Sequence, residues 1–244
     1  MNVVYEREGA SIVVIGNFNP AIFHPLWFDN CQLIAAEEAE VAKEVIVTDD
    51  FTSFTLPWCR VQVFADRFCV ETTDSAKIIP LQDLVAGTFA MLEHCPIKAF
   101  GLNRHFHVQL DSNEKWHALG HLLAPKTVWE EVIDSPGTRS VSIWGERSVV
   151  GSTQTRLQAR FEPSTKLKDG VFFELNRHYN IEAKPTESLA TENLSENPPQ
   201  SAATDGTSVL LETLADSWKE FLKESESVVS HVLKKANELI AKND

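Results

Sequence analysis

The sequence predicts an α+β protein: a mainly antiparallel sheet with packed helices, followed by a disordered linker and a C-terminal amphipathic helix. Three observations predict it. Short β-branched and aromatic runs recur between turn residues from Ser11 onward, stretches with helical spacing interrupt them in groups rather than in strict alternation, and apolar periodicity stops near Glu182 before resuming as a helix. The bulk composition agrees. Of 244 residues, 43% are hydrophobic and 23% charged, which suits a globular chain able to bury a sizeable core.

Taken in order, SIVVIG at Ser11–Gly16 reads as a buried strand closed by glycine. GNFNPAIFHPLWFDN follows, with turn-forming Asn17, Asn19 and Pro20, and with Pro25 suited to a helical first turn carrying Leu26, Trp27 and Phe28. Its aromatic content predicts a packed connection in which Phe18, Ile22, Trp27 and Phe28 seal one end of the sheet. The alternative is a partner-binding lip displaying Phe18 and Trp27. IAAEEAEVAKEV favours helix, whereas FTSFTL, CRVQVF and FCVETT alternate like a meander. PLQDLVAGTFAMLEHC then spaces Leu81, Leu84, Val85, Phe89 and Leu92 for an amphipathic helix.

KAFGLNRHFHVQL returns to strand texture, and DSNEKWHALGHLL has Asp111 or Ser112 to cap a helix bearing Trp116, Leu119 and Leu123. RSVSIWGE, TRLQARFE and GVFFELNRHYNI complete the strands. No internal repeat is visible. Residues 1–182 therefore form the predicted core domain. Residues 183–206, rich in Ser, Thr, Pro, Glu and Asn, form a linker that is too polar to order itself. Residues 207–244 carry Leu211, Leu214, Trp218, Leu222, Val229, Val232, Leu233 and Ile240 along one helical stripe, with Glu212, Asp216, Glu220, Glu224 and Glu226 opposite. A stripe of this size must be covered, by the chain's own sheet, by a second copy or by a partner's groove. The expectation is that the core stays folded without it and that the helix serves assembly.

The formal net charge of −13 disfavours phosphate backbones as the main partner, because nucleic-acid affinity rests on clustered Lys and Arg. No run of about 18 apolar residues is available to span a bilayer, and the amino terminus lacks a signal-peptide pattern. Four scattered cysteines without CxxC spacing predict reduced thiols and a cytoplasmic setting. No GxSxG, P-loop or GxGxxG occurs, so no cofactor is expected.

One constellation has the residue types for metal chemistry. His105 and His107 share a face of a predicted strand, and His117 and His121 share a face of the next predicted helix, at a spacing that metal ligands use. Glu114, one turn before His117, is the accompanying oxygen ligand or base. The simpler expectation is that these imidazoles flank a packed strand and helix without meeting.

The segments GNFNPAIFHPLWF, PLQDLVAGTFAMLEHCPIKAFGLNRHFH, WHALGHLLAPKTVW and VSIWGER resemble those of an uncharacterised bacterial family of hypothetical proteins, over about residues 11 to 180. The resemblance implies a bacterial or phage-related source and one continuous domain before the linker, and it transfers no activity. The sequence thus favours a protein–protein interaction or assembly module of a bacterial multi-component system. A metal-dependent hydrolase built on the histidines is the rival.

Overall fold

A computed structural model describes residues 4–148, 154–181 and 206–240. The fold is α+β, as predicted. The chain runs β1 (Tyr5–Gly16), a 3-10 turn (Pro20–Ile22), α1 (Pro25–Asn30), α2 (Ala36–Glu40) and then the strands β2 (Lys43–Val47), β3 (Phe51–Thr55), β4 (Arg60–Phe64) and β5 (Arg67–Thr72). It continues through α3 (Ile78–Met91), β6 (Ile97–Gln109) and α4 (Asn113–Leu123), then β7 (Val141–Ser148), β8 (Gln154–Pro163) and β9 (Gly170–Asn180), ending in α5 (Gly206–Ile240). The nine strands form one antiparallel sheet in the order β2-β3-β4-β5-β1-β6-β9-β8-β7.

That order contains a repeat with no counterpart in the wording of the sequence. β1 leads through α1 and α2 into a meander whose last strand, β5, pairs back on β1, and α3 then packs on β1 and β5. β6 leads through α4 into a meander whose last strand, β9, pairs back on β6, and α5 then packs on β6 and β9. The long antiparallel β1–β6 pair joins the two units, with Ile12 opposite Leu102 near its middle.

The helices gather on one face because alternate strand residues are apolar there. Phe54, Val61, Val70, Ile12 and Leu102 lie in successive register across the sheet, and all are fully buried. Phe18, Phe23 and Phe28 pack onto Phe68 and Phe54 from above, and Thr52 ties the turn down by donating to the Pro20 carbonyl at 2.8 Å. Phe18, Phe23 and Phe28 therefore seal this end of the sheet, whereas Ile22, expected among the sealing residues, is exposed. Trp27 sits half-buried between Phe23 and Phe28.

Two boundaries differ from the sequence reading. The stretch read as one helix from Ile34 to Val45 is helical only over Ala36–Glu40, and its β-branched end becomes edge strand β2. The first strand begins at Tyr5 rather than Ser11, because Glu8 gains a buried arginine partner on the next strand. The predicted linker lies outside the described residues.

Candidate functional site

The C-terminal helix is where the sequence placed most of its candidate partner-binding residues, and here it lies on the chain's own core. α5 runs antiparallel to α3: Thr207 donates to the Cys95 carbonyl, Gln82 donates to the Leu214 carbonyl, and Trp218 Nε1 donates to the Ile78 carbonyl at 3.2 Å. Leu214, Trp218 and Val229 are fully buried and Leu233 nearly so. Leu211, Leu222 and Val232 are half-buried on the flank. The side chain of Ile240 lies outside the described residues. Leu210 and Phe221, absent from the predicted stripe, are also fully buried. The apolar face of residues 1–182 is therefore not complete by itself, since α5 contributes to the same cluster as Phe100, Leu102 and Phe173.

Charge fixes α5 as well as apolar contact. Arg104 and Arg177 stand in the buried rows of β6 and β9, with side chains only 4% and 1% exposed. Arg104 bonds Glu8 at 2.6 Å and faces Glu226 at 3.7 Å, whereas Arg177 pairs with Glu224 and lies over the Phe221 ring. Burial pulls the Arg104 pKa down, and Glu8 and Glu226 oppose that pull. Glu224, placed by the sequence reading on a solvated face, instead looks inward, while Glu226 stays half exposed at the rim, 3.7 Å from Arg104. Strict alternation in FGLNRHF and FFELNRHY puts an arginine in each buried row, and a buried guanidinium requires carboxylates. That alternation is legible in the sequence, whereas the glutamates that answer it are distant in the chain.

The histidines do not converge. Arg104 points toward α5, so its neighbours His105 and His107 point to the opposite face of the sheet, while α4 with His117 and His121 packs on α5. His105 lies across Gly9, where a Cβ would collide with its ring, and burial, with help from His107 and Arg104, lowers its pKa to about 4. His107 is held by Ser164 at 2.9 Å, and burial lowers its pKa too. The Ser164 oxygen already accepts from the Lys166 and Leu167 amides, so its hydroxyl hydrogen is left for His107 Nδ1. His117 is exposed beside Trp116, and His121 Nδ1 accepts from the Lys126 amide. Glu114 serves the start of α4, where a hydrogen bond with Ser112 holds its carboxyl below the usual range. Among the described residues no group of three or more His, Cys, Asp and Glu side chains is arranged to hold a metal.

The four cysteines are free, and burial raises the Cys59 and Cys69 thiols to about 12 and about 11, which leaves them unreactive near neutrality. No described helix is long and apolar enough to cross a membrane.

What remains is the face of the sheet opposite the helices. Its centre is floored by small side chains, Ser11, Val13, Ala99 and Gly101, with the Asn176 amide donating to Asn103 at 2.6 Å. Around this floor arginines stack on aromatic rings: Arg67 over Phe64, Arg156 over Trp144 at 4.5 Å, and Arg160 over Phe172. Arg160 also bridges Glu162 and Glu174. Carboxylates are interleaved with these arginines, Glu71 opposite Arg60 and Glu162 and Glu174 beside Arg160, so the face is mixed in charge. Compared with known proteins, the chain matches no family model, and no curated protein matches it significantly.

Proposed function

We propose that this chain is a protein–protein interaction module, a component of a bacterial multi-component assembly, acting in the cytoplasm through the uncovered face of its sheet. The observation that carries the reading is the set of three arginine–aromatic pairs on that face. Arginine and large aromatics dominate interface energetics because they combine broad apolar contact with fixed hydrogen-bonding geometry. Rigid strands hold them in place, so little ordering entropy is lost when a partner docks. The mixed charge favours a partner that presents carboxylates beside apolar side chains over a polyanion. The C-terminal helix is not the docking surface in this reading, because Trp218 and Phe221 are already covered.

The test compares the proteins that co-purify from the native host with the wild-type chain and with an Arg67→Glu/Arg156→Glu variant, whose altered side chains are exposed. A stoichiometric partner whose retention falls at least about tenfold in the variant, with unchanged circular dichroism and melting, supports the proposal. Equal retention by both proteins overturns it.

A further inference from the structure

The two edges of the sheet are built differently. β2 is short, its pairing with β3 slips between Lys43 and Ile46, and Glu44 adopts a left-handed φ of 52°. A bulge and charged residues on an outer strand are how proteins prevent edge-to-edge pairing. β7 has no bulge and carries its only charges, Glu146 and Arg147, in its second half: it runs eight residues in unbroken register with β8, and its outer side is unpaired among the described residues. Ile143 on this strand is 64% exposed and Trp144 59%.

The edge continues into an apolar patch. Ile143 stands opposite Ala159 in the row that faces the helix side, and the segment leading into β7 exposes Val128 (76%), Trp129 (53%), Val132 and Ile133. Trp129 and Ile133 line a recess of about 310 Å³ with Thr138, Arg139 and Ser140, the residues just before β7. In the first unit the comparable row is capped, with Phe28 seated on Phe54. In the second unit it is bare.

The geometry points to a second copy of this chain as the cover, with β7 pairing antiparallel to its own twin across a two-fold axis normal to the sheet. Such an axis keeps helix-side residues opposite helix-side residues, so facing residue numbers must sum to an even value. The register centred on Trp144 fits the side chains: Trp144 meets its twin, Ser142 lies opposite Glu146, and Ile143 lies opposite Gly145, where no atom stands within 4 Å of an added Cβ. The patch and the edge residues together offer on the order of 700 Å² per copy, close to the roughly 800 Å² per partner of a standard interface. This surface shares only the Arg156–Trp144 pair with the uncovered face; Arg67 and Arg160 lie outside it, and Ile143 faces the helix side, so Ile143→Lys tests this proposal alone.

The experiment is sedimentation of the full chain over micromolar concentrations, with Ile143→Lys as the edge-guarding variant and Trp144→Cys as a register probe. We expect a dimer whose dissociation constant weakens about 100-fold or more in Ile143→Lys without loss of melting temperature. Trp144→Cys should give a disulfide-linked dimer under mild oxidation that the wild type does not. A chain monomeric at all concentrations, or a dimer unaffected by Ile143→Lys, overturns the proposal. A monomer in which residues 128–144 resist hydrogen exchange only while residues 183–205 are present overturns it in favour of that segment as the cover.

Discussion

The two units of the sheet share one winding, with four meander strands in the first and three in the second, but differ in their closure. In the first, the covering elements follow directly in the chain, and the interface is apolar: Phe18, Phe23 and Phe28 over Phe54 and Phe68, then Leu81, Val85 and Phe89 of α3. In the second, the covering helix arrives only after the stretch 182–205, and the rows it covers hold Arg104 and Arg177. The difference teaches how a cover is specified. An apolar patch accepts many apolar neighbours, whereas a buried guanidinium accepts only a helix that delivers carboxylates at the right height, as Glu224 and Glu226 do.

Removing the second cover should have the largest effect. A chain ending at Glu182 loses Leu210, Leu214, Trp218 and Phe221 from the shared core, opens the apolar rows of β6 and β9 to water and takes Glu224 and Glu226 away from Arg177 and Arg104, so we expect loss of cooperative unfolding. Adding a peptide of residues 206–240 in trans should restore it, as read by circular dichroism and calorimetry. A truncated chain that melts like the full protein would mean the second unit closes without α5.

Matched truncations then compare the two covers. Trp218→Ala and Phe28→Ala should each cost about 3 to 5 kcal/mol by denaturant titration, since both rings are fully buried. Half-buried Trp27→Ala should cost less than either. Glu224→Ala should cost about 3 kcal/mol by leaving buried Arg177 with only the exposed Glu220, at 3.9 Å, as a carboxylate partner, while Arg177→Met/Glu224→Leu should recover most of that loss. If Glu224→Ala is neutral, the second cover is apolar in its energetics like the first.

A smaller effect is expected from pH. His105 titrates at about 4 in the folded chain against 6.5 when unfolded, because burial disfavours its charged form. Between those values the unfolded state binds the extra proton, so stability present above pH 6.5 is lost as the pH falls toward 4. The change is on the order of 2 to 3 kcal/mol and should flatten in His105→Gln.

The smallest effect should come from shortening the connection to α5. Ile181 donates to the Lys98 carbonyl and Gly206 sits against the Ile97 carbonyl, so both ends of the connection meet at one place. Replacing residues 183–205 with a few glycines and serines should change stability by less than about 1 kcal/mol, since closure entropy varies slowly with loop length.

The sequence by itself determined the α+β class, the positions of most strands and the helices α3, α4 and α5. Those features are local: periodicities of two and of three to four residues separate strand from helix wherever one face must be apolar. It narrowed Phe18 and Trp27 to a packed connection or a partner-binding lip, and only the fold chose, burying Phe18 and Phe28 on Phe68 and Phe54. Tertiary structure alone decided which surface covers which. The stripe on α5 suited self, twin or partner equally, and the choice rests on Arg104 and Arg177, more than a hundred residues and about fifty residues upstream of their glutamates in a row that only sheet register reveals. It also decided that His105 and His107 look away from His117 and His121, since the face of a strand on which a helix packs is set by its neighbours and not by its own spacing. The repeat of the two units was hidden for the same reason: topology records the order of pairings, and that order is a property of contacts between distant residues.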